Sequence, residues 1–426
     1  MTSNNNNGPE KLGLLTLLCA LAPFSAGYFL SYLLRGANAI IEKDLVAEIG
    51  LGPADLGLVT AAYLGGFALF QLPLGILLDK YGPRRVQTFL LSIAGLGALA
   101  FAYGQSVETL IAGRALIGLG FAGGLMASFK AVVIWIPEQR RALANALVMC
   151  SGAVGLLLAT QPLEFVTQMF GWRDVFVALA VVIFALSLLI FTVVPEREGT
   201  AQAASFSNQL RGVGSIFADR RYWAITPLLA TTSGAHVAIQ TLWAGPWLRD
   251  VGGLAREAVA EHLLIMAIAF FCGILLTGVV ADWFVRRGFN LLSVMIFFVL
   301  IYLASQIGIV TGIANELMLP VWFVFGMLGQ VAVLAYPWLA IQFGAAQTGR
   351  AHTAVNLAIF GAAFTLQYVI GAIIEQFPST ASGAYAPEAY QTALGATLVL
   401  QLLALAWYFV NFQLFRNASV ERSTDP

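Results

Sequence analysis

The chain reads as an all-α integral membrane protein with twelve transmembrane helices in two repeated halves. Three observations predict this. Charged residues make up 10% of the 426 residues and hydrophobic residues 59%, where soluble domains carry about 25% charged residues. The mean hydropathy is +0.82. No soluble fold could hide that much apolar surface, so the surrounding solvent is lipid. Second, two stretches at matching places echo one another: Gly75-Ile-Leu-Leu-Asp79-Lys80-Tyr-Gly82-Pro-Arg84-Arg85 and Gly278-Val-Val-Ala-Asp282-Trp-Phe-Val-Arg286-Arg287. A third observation supports the second: Arg140-Arg141-Ala-Leu-Ala-Asn145 is echoed by Arg350-Ala-His-Thr-Ala-Val-Asn356. A repeated half of roughly 200 residues, built of apolar helices, marks parallel internal repeats.

Taken in order, the apolar runs cover 13–41, 54–78, 86–104, 107–136, 142–169, 174–194, 223–247, 257–281, 289–312, 317–343, 351–375 and 388–415. Most exceed the ~20 residues that cross a bilayer, so tilted helices are predicted. The polar stretch Pro195 to Arg221, with Glu196, Arg197, Glu198, Arg211, Arg220 and Arg221, is the one clear linker. Three units follow: 1–195, a linker 196–221, and 222–426. With the N-terminus in the cytoplasm, fifteen Lys and Arg fall on that side, against Lys43, Arg173, Arg249 and Arg256 on the other. That bias, and the even number of spans, place both termini in the cytoplasm. Thr2 to Glu10 is polar without a cleavable signal pattern, so the first span serves as an uncleaved insertion signal. Cys19, Cys150 and Cys272 lie inside apolar runs and read as small core residues. A net charge of zero and a pI near 6.8 argue against nucleic acid as a partner.

These motifs together resemble the major facilitator superfamily over nearly the whole chain. Gly75 to Arg85 resembles that family's signature between its second and third helices, and Gly278 to Arg287 a weaker copy with Val285 where glycine is usual. Arg114-Ala-Leu-Ile-Gly118-Leu-Gly120 resembles its fourth-helix motif, and Gly171-Trp172-Arg173-Asp174-Val-Phe176 its usual start to the sixth. The resemblance implies two pseudo-symmetric six-helix bundles around a central cavity that alternates in access. It also implies a conformational latch of Gly75, Asp79, Lys80, Gly82, Arg84 and Arg85, tying the second span to the eleventh when the protein faces outward. Gly278, Asp282, Arg286 and Arg287 form its second copy. A plainer reading of the basic residues is a positive-inside loop.

Charges inside apolar spans are costly, so function or a partner is the default reading. Arg35 follows Tyr32-Leu-Leu, and the stretch resembles the first helix of the organophosphate:phosphate antiporters and related anion:cation symporters. There, such an arginine binds the anionic substrate, and a basic residue stands where Lys130 falls. A guanidinium can bind a carboxylate or phosphate bidentately; the plainer reading is an arginine snorkelling towards Glu42, Lys43 and Asp44. His236 occupies the place of a second arginine in the phosphate antiporters, which speaks against phosphorylated substrates. His236, Gln240 and Trp243 share one face at i, i+4, i+7 spacing. With Tyr32, Tyr336 and Asn356 they complete the candidate substrate set; Tyr63, Gln71 and Gln330 are further cavity-lining polars. Glu164 and His236 are candidate proton carriers, joined by Arg114 of the fourth-helix motif. The plainer alternatives are a core histidine, and a Glu164 that pairs with Arg114 or sits at the rim.

No phosphate-binding loop, hydrolytic constellation or metal cluster is legible, so neither enzymatic activity nor a cofactor is predicted. The sequence predicts a monomeric secondary transporter of a small organic anion or amphoteric metabolite in the bacterial cytoplasmic membrane, driven by protons or by a counter-substrate. The alternatives are a drug or metabolite exporter, disfavoured by the lack of a Gly-Pro element in Ser151 to Leu158, and a non-transporting sensor or assembly subunit.

Overall fold

A computed structural model describes residues 21–195, 206–312, 315–344, 347–380 and 383–411. The predicted start of the first span with Cys19, linker residues 196–205 and the end of the last span lie outside these described residues. Among the described residues the secondary structure is helical apart from one isolated bridge, Ser379 with Tyr385. Nine described helices are long and apolar enough to cross a membrane.

The first span is α1 (Ala22–Gly36) followed by α2 (Asn38–Ile49), which stops at Gly50 with φ 77°. The second and third spans lie in α3 (Pro53–Ala102), 50 residues long. A straight helix of that length would reach about 75 Å, more than twice a hydrocarbon core. The chain turns at Gly82, whose φ of 74° is open to glycine and closed to most other residues. Helix α4 (Val107–Phe121) starts on a capping box of Ser106 and Thr109 and leads into α5 (Gly124–Trp135). The fifth span divides into α6 (Glu138–Leu158) and α7 (Gln161–Phe170), and α8 (Trp172–Val193) completes the first half. The predicted linker contains α9 (Phe206–Phe217), a helix the polar composition did not foretell.

In the second half, α10 (Arg220–Ala238) runs through a π-turn, Ile239–Trp243, into α11 (Ala244–Asp250). Then come α12 (Arg256–Arg286) and α13 (Leu291–Thr311). The tenth span is α14 (Asn315–Leu328), a 3₁₀ turn Val331–Ala335, and α15 (Tyr336–Phe343). Helices α16 (Thr348–Ile374) and α17 (Pro387–Val410) end the described chain.

Lipid offers helices no hydrophobic reward for meeting, so close backbone approach holds them together. Glycines make it possible where α3 crosses α4. A β-carbon on Gly118 would fall on the Tyr63 carbonyl, and one on Gly66 on the Ala115 carbonyl. Near their opposite ends α3 and α16 also touch backbone to backbone, Gly57 against Gln367 and Gly371 against Pro53. The Gly171-Trp172-Arg173 motif has a local task. Trp172 Nε1 and Arg173 Nε donate to Glu48 at 2.8 and 2.7 Å, fastening α8 to α2. The Arg173 bond holds the Glu48 carboxyl below its usual range, so this tie stabilises above the unfolded carboxylate pKa and fades as pH falls.

Gly118→Leu should force α3 and α4 apart at a cost of about 1–3 kcal/mol or more. Thermal unfolding in detergent checks this against Gly361→Leu, at an exposed position with nothing within 4 Å. Equal melting temperatures for the two variants would refute the backbone contact as a stabilising element.

Candidate functional site

Three polar layers follow one another along the bundle, here called the signature end (Asp79, Arg350), the middle (Arg35) and the far end (Glu42, Arg256).

At the signature end a cavity of about 640 Å³ lies among α3, α5 and α16, lined in part by Gln71, Asp79, Lys130, Arg350, His352 and Asn356. Lys130 Nζ pairs with Asp79 Oδ1 at 2.8 Å. Lys130, expected from the sequence to join Arg35 in binding substrate, has its ammonium on Asp79 of the neighbouring helix in this conformation. Nor is Asp79 tied to α16 here; Arg350 faces the same cavity instead. Arg84 donates to the Phe191 carbonyl, 2.9 Å from Nε, and lies over the Phe191 ring. Lys80 stands over Tyr81, Arg287 over Trp283, and Arg286 pairs with Asp282 within its own helix at 2.8 Å. Gly278 borders a smaller cavity near the middle and has open space where a β-carbon would lie. Tyr336 donates to Asn356 Oδ1, and its ring meets His352 at 4.7 Å, so these polars satisfy one another.

In the middle, Arg35 is 9% exposed. Four rings surround its guanidinium carbon, with centroids at 4.6 Å (Tyr32), 5.1 Å (Phe67), 5.4 Å (Phe360) and 5.6 Å (Tyr63). Phe360 comes from α16, so both halves build the cage. No carboxylate among the described residues pairs with Arg35, and its buried Nε has no hydrogen-bond partner. The cage is held from behind. Tyr63 Oη bonds Ser31 at 3.0 Å, and fully buried Arg114 donates to the Leu34 carbonyl at 2.8 Å while lying over Phe101 and Phe176. Arg114 thus grips the backbone beside Arg35 and has no acidic partner among the described residues; the alternative in which Glu164 pairs with it is not realised, since Glu164 meets Arg256. Beyond Tyr32 lies a cavity of about 120 Å³, bordered by Tyr28, Phe270, Ile274, Gln330 and Leu334 among others.

The seventh-span triad does not act as one face. The π-turn at Ile239–Trp243 inserts an extra residue into the helical repeat, so i+7 spacing no longer means a shared side. His236 is 1% exposed inside the second half, 4.9 Å from Phe325 and 5.7 Å from Phe270 between ring centroids. Neither imidazole nitrogen has a partner at hydrogen-bond geometry. Gln240 itself borders a narrow recess with Gly36, Ala159 and Thr160 of the first half. Trp243 points elsewhere: Nε1 donates to Gln367 O at 3.0 Å. His236 is thus packed among aromatic rings, whereas Trp243 borders a far-end cavity of about 660 Å³.

The far end carries a network that the sequence reading missed. Arg256 on α12 donates to Asp44 at 2.8 and 3.0 Å and pairs with Glu164. Arg249 pairs with Glu42 and, at 2.7 Å, with Asp250; Asp250 also accepts from Tyr390 Oη at 2.6 Å. Arg249 and Arg256, both of the second half, thus clamp acids of the first. Glu164, a candidate proton carrier in the sequence, is part of this clamp and also accepts from Gln168 at 2.8 Å. The signal available in sequence was two arginines after the seventh span facing an acid-rich stretch after the first, and nothing local said which pairs would meet.

A double-mutant cycle between Arg256→Ala and Glu164→Ala, read by thermal unfolding, should give a coupling of about 1–2 kcal/mol, below the roughly 3–5 kcal/mol of a fully buried pair because Arg256 keeps 27% of its side-chain surface. Additive single losses would show that the clamp contributes nothing.

Comparison with known proteins accords with this architecture. A sequence profile described as Major Facilitator Superfamily matches residues 24–372. The chain is 23% identical over 335 residues to the probable sulfoacetate transporter SauU of Cupriavidus necator, covering 74% of both proteins. It is 26% identical over 284 residues to a D-galactonate transporter of Escherichia coli (61% of this chain, 66% of that one). With the 4-hydroxybenzoate transporter PcaK of Pseudomonas aeruginosa it shares 27% over 375 residues (79% and 80%). Among solved structures, a bacterial homolog of the human lysosomal transporter Spinster, inward-facing and unoccupied, superposes with a TM-score of 0.75 at 16% identity, over 95% of this chain and 98% of that one.

Proposed function

The chain belongs to the Major Facilitator Superfamily, and from that premise we propose that it is a secondary active transporter of a small organic anion, working by alternating access with Arg35 as the anion-binding group. One observation carries the reading: a nine-tenths buried guanidinium at the junction of the two halves without a carboxylate among the described residues. A buried charge of this kind is strongly destabilising unless something compensates it. The aromatic faces supply part of that compensation through cation–π attraction, and a bound carboxylate or sulfonate would supply the rest. The relatives named for sulfoacetate, galactonate and 4-hydroxybenzoate, all anions, support the same class.

The layers then take mechanical roles. The basic-residue asymmetry places the signature end in the cytoplasm of a bacterium, with both termini there. In this conformation a cavity of about 640 Å³ lies at the signature end with Asp79 on Lys130, and at the far end ion pairs join the halves beside a cavity of about 660 Å³ lined in part by Glu42, Arg249 and Asp250. Opening outward requires Arg249 and Arg256 to release the first-half acids. Asp79 would then leave Lys130 for α16, which carries Arg350 beside it. Glu164 is the coupling candidate that fits: protonating it removes half of Arg256's compensation and loosens the clamp. Arg114 acts by positioning, through its hold on Leu34. The protein works as a monomer of two six-helix bundles, 1–195 and 222–426, exchanging its substrate against protons or a counter-substrate.

Calorimetry with a panel of organic anions tests the central claim. Arg35→Lys keeps the charge without the planar fork, so it should weaken binding; Arg35→Ala should lose roughly 3–5 kcal/mol, or two to four decades of affinity. The exposed Arg220→Ala serves as control, since Arg256 belongs to the clamp. Equal affinity in Arg35→Ala and Arg220→Ala would end the anion reading. For coupling, Glu164→Gln should abolish pH-gradient-driven accumulation in proteoliposomes while sparing exchange; an unchanged gradient response would remove Glu164 from the mechanism.

A further inference from the structure

Resting on Arg35 as the anion-binding residue, we infer that the substrate is a monoanion with a compact apolar body, such as an aryl or cycloalkyl carboxylate, rather than a polyhydroxylated sugar acid or a dianion.

The charge count comes first. Of the interior basic groups, Lys130 is neutralised by Asp79, and Arg249 and Arg256 by the far-end acids. Arg114 is sealed under Phe101 and Phe176 with no exposed surface. Arg350 also borders a cavity, but at the signature end; in the middle layer Arg35 is the basic group left without a carboxylate among the described residues, and Tyr32 separates it from the neighbouring cavity. A second carboxylate on the substrate would enter the low-dielectric middle without a cation, which costs several kcal/mol per ion.

The body follows from the cavity walls. Tyr32 joins charge to cavity: its ring centroid is 4.6 Å from the Arg35 guanidinium carbon, and it lines the 120 Å³ space with Tyr28, Phe270, Ile274, Gln330 and Leu334. Apolar cavities of roughly 150 Å³ accept a benzene-sized ring. Hydrogen-bonding capacity is scarce there. Tyr28 Oη bonds Tyr32 Oη at 3.3 Å, and the Thr277 hydroxyl is committed to Gly273 O. The Gln330 amide and one tyrosine hydroxyl pair remain. A sugar acid would bury four or more hydroxyls here, and each one left unpaired costs about 1–3 kcal/mol. A ring stacked between Tyr32 and Phe270 asks for none.

Calorimetry on the full-length protein in detergent with benzoate, cyclohexanecarboxylate, D-galactonate, D-glucarate and neutral benzamide decides the matter. Benzoate and cyclohexanecarboxylate should bind roughly tenfold or more tightly than galactonate and glucarate, that is by about 1.4 kcal/mol or more, and benzamide should not bind measurably. Ile274→Phe and Leu334→Phe, which fill the cavity from α12 and from the tenth span, should each weaken benzoate at least tenfold while leaving the fold intact by thermal unfolding. Galactonate or glucarate binding as tightly as benzoate overturns this inference and leaves the anion reading standing. So does unchanged benzoate affinity in both cavity-filling variants. Benzamide binding as well as benzoate, or no probe binding at all, overturns the anion reading and this inference with it.

Discussion

An arginine charge without a carboxylate, held in the middle of a lipid-embedded bundle, is the constraint around which the rest is arranged. Isolated, Arg35 would be expelled towards water or would pull water in. It stays because four aromatic faces and the backbone of α1 confine it. The confinement is itself supported: Arg114 grips the Leu34 carbonyl, and Tyr63 is bound to Ser31. The close approach of α3 to α4 at Gly118 puts the Tyr63 backbone where its ring can face Arg35. The cage is therefore a product of glycine packing as much as of aromatic content. Since Phe360 belongs to the other half, moving the halves apart changes the environment of the charge.

Lys130, Arg249 and Arg256 follow a simpler rule, each beside an opposite charge. The two ends differ in which elements are joined. At the signature end Lys130 and Asp79 pair within the first half, which ties no halves together and leaves the 640 Å³ cavity between α3, α5 and α16. At the far end the pairs run between halves, Arg249 to Glu42 and Arg256 to Asp44 and Glu164. The glycine contacts of α3 with α16 near Pro53 and Gln367 add a second tie between the halves, beside a cavity of about 660 Å³. Partly exposed ion pairs of modest strength suit a structure that must let go again: a dry apolar seam would be harder to reopen, and an unpaired acid would not stay closed.

Where the sequence reading erred, it erred by projecting local spacing through distortions it could not see. His236, Gln240 and Trp243 have the spacing of one helical face, yet the π-turn starting at Ile239 places Gln240 at the seam between halves and Trp243 on Gln367. Lys130 was assigned to the substrate because it lies inside an apolar run; its partner, Asp79, is 51 positions earlier. Glu164 and Arg256 lie 92 positions apart, and either looks unremarkable alone. The helix α9 in the linker was hidden by polar composition.

The sequence by itself determined the solvent, most of the helices and the interruption between the runs 54–78 and 86–104, because composition and apolar run length are local properties and the lipid environment enforces them residue by residue. It also singled out Arg35, since a charge in an apolar run is conspicuous whatever surrounds it. Only the tertiary structure decided which charges are compensated and which is not, because compensation depends on groups brought together from distant helices. The aromatic cage, the commitment of Lys130 to Asp79 and the far-end clamps all come from helix crossings that no stretch of sequence contains. Among the described residues Arg35 lacks the opposite charge that the ion pairs at either end possess.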